Sequence, residues 1–396
     1  MQATKIPHTR PDSSFDTVVV GAGLIGLAVA WRAATRGLRV ALADPEPGSG
    51  ASHVAAGMLA PVTEAHYGEE ALLRLNLASA ARYPAFAAEL EEAAGTTSGY
   101  SERGTLAVAF DADDRAVLAD LAAFHRTLGL DSEPVSAREC RRLEPLLSPD
   151  VQAGLRVSGD HQVDNRQLIA ALLSAVGQRR VPLYRERVAE LLVEHDAVAG
   201  VRLSGGETVR ADRVVIAAGC HSTSIPGVPP GLLPPIRPVK GQILRLSVPS
   251  DAVPFLNSAV RGLVRGRQVY LVPRDHGELV VGATVEELGY DTRVTAGGVY
   301  ELLRAAHALV PGITELPLAE VRAGLRPGSP DNAPVIGPTA LPGLIAATGH
   351  FRNGVLLTPV TADAIAELLA TGELPAEARG FEPARFAAAA PSAAAR

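Results

Sequence analysis

Asp16-Thr-Val-Val-Val-Gly-Ala-Gly-Leu-Ile-Gly-Leu-Ala-Val-Ala30 reads as a buried strand, a glycine turn and the first turns of a helix. Thr17 to Val20 is a short β-branched run of the kind a central parallel strand requires. Gly21, Gly23 and Gly26 then give GxGxxG. The first allows the tight turn, the second a close backbone approach to a pyrophosphate, and the third close packing of helix on strand. The helix start turns bare N–H groups and a partial positive charge toward phosphates. A second strand, Leu38 to Ala43, ends at Asp44, 18 residues past Gly26. That is close to the spacing of about 20 expected for an acid on a cofactor ribose. The three signals together predict a dinucleotide-binding unit. They leave NAD and FAD open and name no reaction.

Working outward, the 396 residues suffice for two domains with their own cores. Apolar content of 47% and charged content of 20% are those of an ordinary globular chain. A net charge of −6 offers no general attraction to nucleic acid or anionic lipid. No apolar run reaches the roughly 18 residues of a membrane span. Met1 to Ser14 is polar and lacks the apolar core of a signal peptide. Cys140 and Cys220 are far apart and have no partner at metal-ligand spacing, so reduced thiols in the cytoplasm, and no metal, are expected.

Helical periodicity is read over 24–37, 69–94, 111–128, 137–147, 167–177, 296–309 and 355–370. The stretch 100–110 reads as a strand pair or strand edge, and strands are read at 188–194, 198–203, 208–210, 212–219, 242–248, 268–273, 278–283, 318–324 and 343–349. Pro226 to Pro235 reads as a crossing between domains. The expected fold is α/β. A discontinuous Rossmann-like cofactor domain (15–92, 150–235 and 322–380) carries an inserted, mostly antiparallel β-sheet substrate domain (93–149 and 236–321). Residues 1–14 and 381–396 are expected to be disordered.

Several residues stand out by context. The small residues Ala55 to Pro61 suit either a planar ligand lying on the backbone or a packed helix start. His161 and Asp164 are candidate ligands, or parts of a solvated loop and helix cap. Cys220-His221 lacks the second histidine and acid of a nucleophile site and reads as structural. Arg326, between Gly-Leu and Pro-Gly, and Arg352, in a turn before a helix, are candidates for gripping a carboxylate through two parallel hydrogen bonds. Tyr270 is a candidate third contact. There is no GxSxG, HExxH, phosphate-loop lysine or CxxC, so no protein nucleophile is expected and no residue is assigned as catalytic. A cofactor would perform the difficult step.

The segments GAGLIGLAVA, GSGASHVAAGMLAP, RPVKGQ, VYLVPR, VGATVEE, AGLRPGSPDNAPVIG and GHFRNGVLLTP occur in this order. They resemble the FAD-dependent D-amino-acid oxidase family, and within it the branch that oxidises glycine for thiamin biosynthesis. The resemblance runs from about Asp16 to about Leu369. It implies noncovalent FAD held by Gly21, Gly23, Leu24, Ile25, Gly26, Asp44, Pro45, Ala51, Ser52, Ala56, Gly57, Met58, Val188, Gly219, and His350, Phe351, Arg352, Asn353, Gly354, Val355 and Leu356. It implies that Arg326 grips the substrate carboxylate, with Arg352 and Tyr270 beside it. The implied reaction is oxidative deamination of glycine, sarcosine or small D-amino acids by O2, giving glyoxylate, ammonia and H2O2, with the imine feeding thiazole formation. Reaction through a D-amino-acid dehydrogenase or a sarcosine-oxidase-like flavoenzyme is the alternative. A homotetramer is also implied. Cys220-His221, Gln268 and Val285 depart from, or vary within, the family pattern near the pocket.

Overall fold

The computed structural model describes residues 14–389. Phe15–Val20 lies in the middle of the first sheet, parallel to Val40–Ala43 on one side and to Thr208–Ile216 on the other. Leu183–Tyr184 extends the sheet beyond Val40–Ala43. Leu344–Thr348 lies beyond Thr208–Ile216, and Val335–Pro338 closes that edge antiparallel. The N-terminal, middle and C-terminal parts of the chain thus meet in one sheet. Alternation along the strand sorts the faces. Val19 packs among the helices Leu24–Thr35, Glu70–Ala94, Asn165–Gln178 and Thr358–Thr371. Val18 and Val20 pack against the meander Val188–Glu194 and Ala197–Leu203. With both faces covered, the buried half of the strand, Val18–Val20, is apolar on successive residues and does not alternate.

The second sheet has the order Leu318–Gly328, Arg237–Ser247, Glu278–Gly282, Arg267–Arg274, Ala259–Val264, Thr105–Ala109, Ala153–Val157, Glu133–Ser136. All neighbours are antiparallel except Ala259–Val264 with Thr105–Ala109. Helix Ala296–Leu309 covers its outer face, and Leu302, Ala306 and Leu309 join that core. Its inner face presents Ile243, Tyr270 and Val272 to Val54, Ala56 and Met58. A small third sheet of Met58–Leu59, His161–Val163 and Tyr100–Ser101 joins the two units.

The structure corrects several element boundaries. The stretches 208–210 and 212–219 are one strand, Thr208–Ile216, which pairs antiparallel with Ala197–Leu203 at its start and parallel with Phe15–Val20 at its end. The stretch 100–110, read as a strand pair or strand edge, is two strands, Tyr100–Ser101 and Thr105–Ala109, which lie in different sheets and do not pair with each other. Ala153–Val157 and the strand carrying Arg326 belong to the second sheet, although their sequence ranges fell in the cofactor segments. That last strand runs on to Gly328 through Pro327, which is tolerated because it is an edge strand. The C-terminal helix begins at Thr358, after a single 3₁₀ turn over Phe351–Asn353, and not at Val355. Residues 381–389 are not a disordered tail. Phe381 is buried, Arg385 pairs with Asp331, and Pro383–Ala389 forms 3₁₀ turns. The expectations for residues 1–13 and 390–396 lie outside the described residues.

Candidate functional site

A cavity of about 1870 Å³ runs between the two sheets. It exceeds the roughly 300–1,000 Å³ typical of a pocket for one small ligand. Every residue expected to hold FAD or substrate lines it except Gly26, Asn353 and Leu356, and the candidate ligands His161 and Asp164 do not line it.

At one end the wall is backbone and small side chains. Gly21 has φ +101°, and a Cβ there would stand 2.5 Å from the Ala217 carbonyl oxygen. A Cβ on Gly26 would stand 1.8 Å from the Gly21 oxygen. Both positions therefore require glycine for space. At Gly23 the added atom would meet only Ser52 Oγ, at 3.0 Å, so this backbone faces open cavity. Ser52 Oγ accepts from Leu24 N at 3.0 Å and locks the 51–54 turn onto the helix start. Asp44 accepts from Ala22 N and Glu46 N, each at 2.7 Å, which braces the glycine turn while its carboxylate still borders the cavity beside Pro45. Val188 and Gly219 line the same end.

The Ala51–Met58 loop is held from behind by residues that sequence reading did not single out. Arg274, buried, donates to Ala56 O at 2.6 Å and to Val163 O at 3.0 Å. Burial pulls its guanidinium down to about 10, so it stays charged at neutral pH. Asn165 Nδ2 donates to Ser52 O and His53 O at 2.7 and 3.0 Å, and its Oδ1 accepts from buried Arg245. Gly57 has φ +72°, and a Cβ there would stand 1.9 Å from Val163 O. Of the two readings of Ala55 to Pro61, the structure gives an extended wall of the cavity with a short strand, not a helix start. Asp164 is the N-cap of Asn165–Gln178, accepting from Arg166 N and Gln167 N. His161 Nδ1 is hydrogen-bonded to Tyr100.

At the other end the wall is charged. Arg326, Gly324 and Arg322 share one face of their strand, opposite Val239, Gly241 and Ile243. The Arg326 guanidinium lies over Gly241, where a Cβ would be 2.5 Å from both Nη atoms. Its Nη1 donates to the carbonyls of Thr284 (3.2 Å) and Lys240 (3.5 Å). Among the described residues no carboxylate pairs with it. Tyr270 lies over Gly282 in the same way, its ring 2.4 Å from where a Cβ would be. Burial pushes its phenol up, against the opposing pull of Arg326 beside it. Arg352 also lines the cavity, but it is ion-paired with Glu69, and its Nε is 3.8 Å from Glu64 Oε2. Glu64 in turn pairs with Arg261 at 2.5 Å. Glu64 and Arg261 were not singled out. The only signal in the sequence was an arginine inside the apolar strand Ala259–Val264.

His350 is buried, its Nε2 is 3.0 Å from Thr361 Oγ1, and burial pushes it down to about 3, so it is neutral here. Phe351 has φ +47°, and the guanidiniums of Arg237 and Arg352 lie over its ring at 5.6 and 5.7 Å. Cys220 and His221 form no nucleophile pair. The thiol donates to Leu325 O, and burial pushes it up to about 12, while His221 stacks on Tyr290. Gln268 and Val285 border the cavity.

The cavity fits FAD. It is long, it has a helix N-terminus and glycine turn in its course, and it ends where Gly354 and Val355 approach a second helix N-terminus. Among the described residues no helix is long and apolar enough to cross a membrane, and no group of three His, Cys, Asp or Glu is placed to hold a metal ion.

Comparison with known proteins agrees with the geometry. A bifunctional protein ThiO/ThiG of Nostoc sp. is 34% identical over 356 residues, covering 89% of this chain and 52% of that protein. The chain spans about half the length of such bifunctional relatives. A glycine oxidase of Geobacillus kaustophilus is 35% identical over 358 residues, covering 90% of this chain and 93% of that protein. The crystal structure of glycine oxidase from that organism superposes with a TM-score of 0.87 at 33% identity, covering 94% of this chain and 99% of the other. That of an iminodiacetate oxidase from Chelativorans sp. BNC1 gives 0.83 at 28% identity, covering 93% and 98%. The sequence description of the FAD dependent oxidoreductases matches residues 16–368, and this chain belongs to that family.

Proposed function

We propose that this chain oxidises glycine with O2 to glyoxylate, ammonia and H2O2, and that it oxidises sarcosine and small D-amino acids in the same way to the corresponding amine or ammonia, 2-oxo acid and H2O2. The observation that carries the reading is Arg326. It is a half-buried guanidinium without a carboxylate partner among the described residues, held over Gly241 beside Tyr270 at the charged end of the FAD cavity. A substrate carboxylate would satisfy it with two charge-assisted hydrogen bonds, fixing both position and angle. The Tyr270 hydroxyl adds a third contact. FAD, when bound, accepts the two electrons and the hydrogen and passes them to dioxygen. The protein's part is alignment and exclusion of water, by Ile243, Met58 and Ala283 along the apolar wall. Relatives that join a ThiO part to a ThiG part support delivery of the imine to thiazole formation in thiamin biosynthesis.

The test is an anaerobic spectrum. The purified yellow protein should lose its visible flavin absorbance on addition of glycine and regain it with air, forming peroxide. A flavin spectrum untouched by glycine, sarcosine and D-alanine would sink the reading.

A further inference from the structure

Arg261 lies directly across the strand pair from Tyr270. Its Nη1 is 2.5 Å from Glu64 Oε1. The other Glu64 oxygen faces Arg352, and Arg352 is paired with Glu69. This forms a chain of alternating charge, Arg261, Glu64, Arg352, Glu69, with every side chain mostly buried. His66 borders it, held below its usual range by burial first and by Arg352 next, so it adds no charge at neutral pH. With Arg326, three guanidiniums meet two carboxylates. One positive charge is unmatched, and it sits at Arg326.

A substrate with one carboxylate completes this arrangement. A second carboxylate, carried on the substrate nitrogen, would find no unmatched cation. It would have to displace Glu64 from Arg261, its close partner, and leave that mostly buried carboxylate with only Arg352 at 3.8 Å, which is unfavourable. We propose that Glu64 determines specificity by keeping Arg261 and Arg352 neutralised, so that the site takes amino acids with one carboxylate and rejects N-carboxymethyl amines. Iminodiacetate is the smallest such amine, being sarcosine with its N-methyl replaced by carboxymethyl. Removing the Glu64 charge opens the site to it. Iminodiacetate, O2 and water would then give glycine, glyoxylate and H2O2. The proposal rests on the reading of Arg326 as the carboxylate grip.

The test uses unreactive isosteres. Butyrate has the shape of sarcosine and glutarate that of iminodiacetate, and binding of each is followed by perturbation of the flavin absorbance in the FAD-loaded enzyme. Wild type should prefer butyrate. Glu64→Gln should raise glutarate affinity relative to butyrate about tenfold, whereas Glu64→Asp leaves the ratio within about twofold. Adding Arg261→Gln to Glu64→Gln should return the ratio to that of wild type. An unchanged ratio in FAD-loaded Glu64→Gln, or equal binding of both acids by wild type, overturns the proposal. Should Glu64→Gln fail to hold FAD, Arg261→Gln alone decides: it should weaken glutarate relative to butyrate, and an unchanged ratio overturns the proposal. Failure of the functional reading would register separately, as absence of glycine and sarcosine oxidation by wild type.

Discussion

The two ends of the cavity are built on different principles. The end around Gly21, Ser52 and Gly57 is shaped by what is missing: side chains that would collide with backbone 1.9 to 2.5 Å away. The end around Arg326, Tyr270 and Glu64 is shaped by charge, and its one vacancy is electrostatic. Steric sites tolerate almost no change, because protein interiors are close-packed. Charged sites tolerate change but alter what they bind. Arg274, on the strand that carries Tyr270, joins the two ends by holding the loop of the first.

The largest effect is therefore expected at the steric end. Gly57→Val drives a branched side chain into Val163 O at a positive φ and should abolish FAD retention, read as loss of visible absorbance per protein. A yellow, active variant would contradict the steric account. Next comes Arg274→Met, which leaves two buried carbonyls without a donor and Asp164 without its cation. It should lower stability by about 3 kcal/mol and weaken FAD binding, measured by denaturant unfolding and flavin release. Wild-type flavin affinity in that variant would detach the loop from its anchor.

At the charged end, Arg326→Ala should raise the glycine KM roughly a hundredfold while FAD stays bound, since hydrogen bonds to charged groups contribute about 1.5–3 kcal/mol. An unchanged KM would remove Arg326 from substrate binding. His350 gives a pH effect. The unfolded imidazole takes up a proton below pH 6.5, but the folded one resists until about pH 3. Its contribution to stability is thus present above pH 6.5 and is lost as the pH falls. His350→Gln should spare the protein about 2 kcal/mol of the loss between pH 6.5 and 5, seen by comparing unfolding curves of both proteins. Parallel curves would place the acid sensitivity elsewhere. The smallest change is Tyr270→Phe. It should raise the glycine KM several-fold, in line with one hydrogen bond worth about 1 kcal/mol. A hundredfold rise would make the phenol as important as Arg326.

The first sheet was legible because its strands are short apolar runs closed by glycines, as in Thr17–Gly21 and Leu344–Gly349. Ala153–Val157 was missed because it is five residues with an arginine among them, given meaning only by pairing with Thr105–Ala109. The C-terminal helix start was misplaced by three residues because Gly354 to Leu357 form tight turns of the same apolar composition as a helix. Residues 381–389 looked like a tail because alanine content says nothing about Phe381 and Arg385, whose partners are remote. At the site, Arg326 could be picked out by its Gly and Pro neighbours. Glu64, Arg261 and Arg274 could not, because each acts through a partner more than 100 residues away.

The sequence by itself determined the glycine turn, the small-residue loop and the class of cofactor. Those features arise from contacts between near neighbours and from conformations open only to glycine, which residue identity records directly. Only the tertiary structure decided which arginine is free. Arg326 and Arg352 both stand in glycine-containing stretches, but folding brings Glu64 and Glu69 to Arg352 and backbone carbonyls to Arg326. Charge pairing acts through space between distant segments, so it is settled by where the chain folds and not by what lies beside each residue.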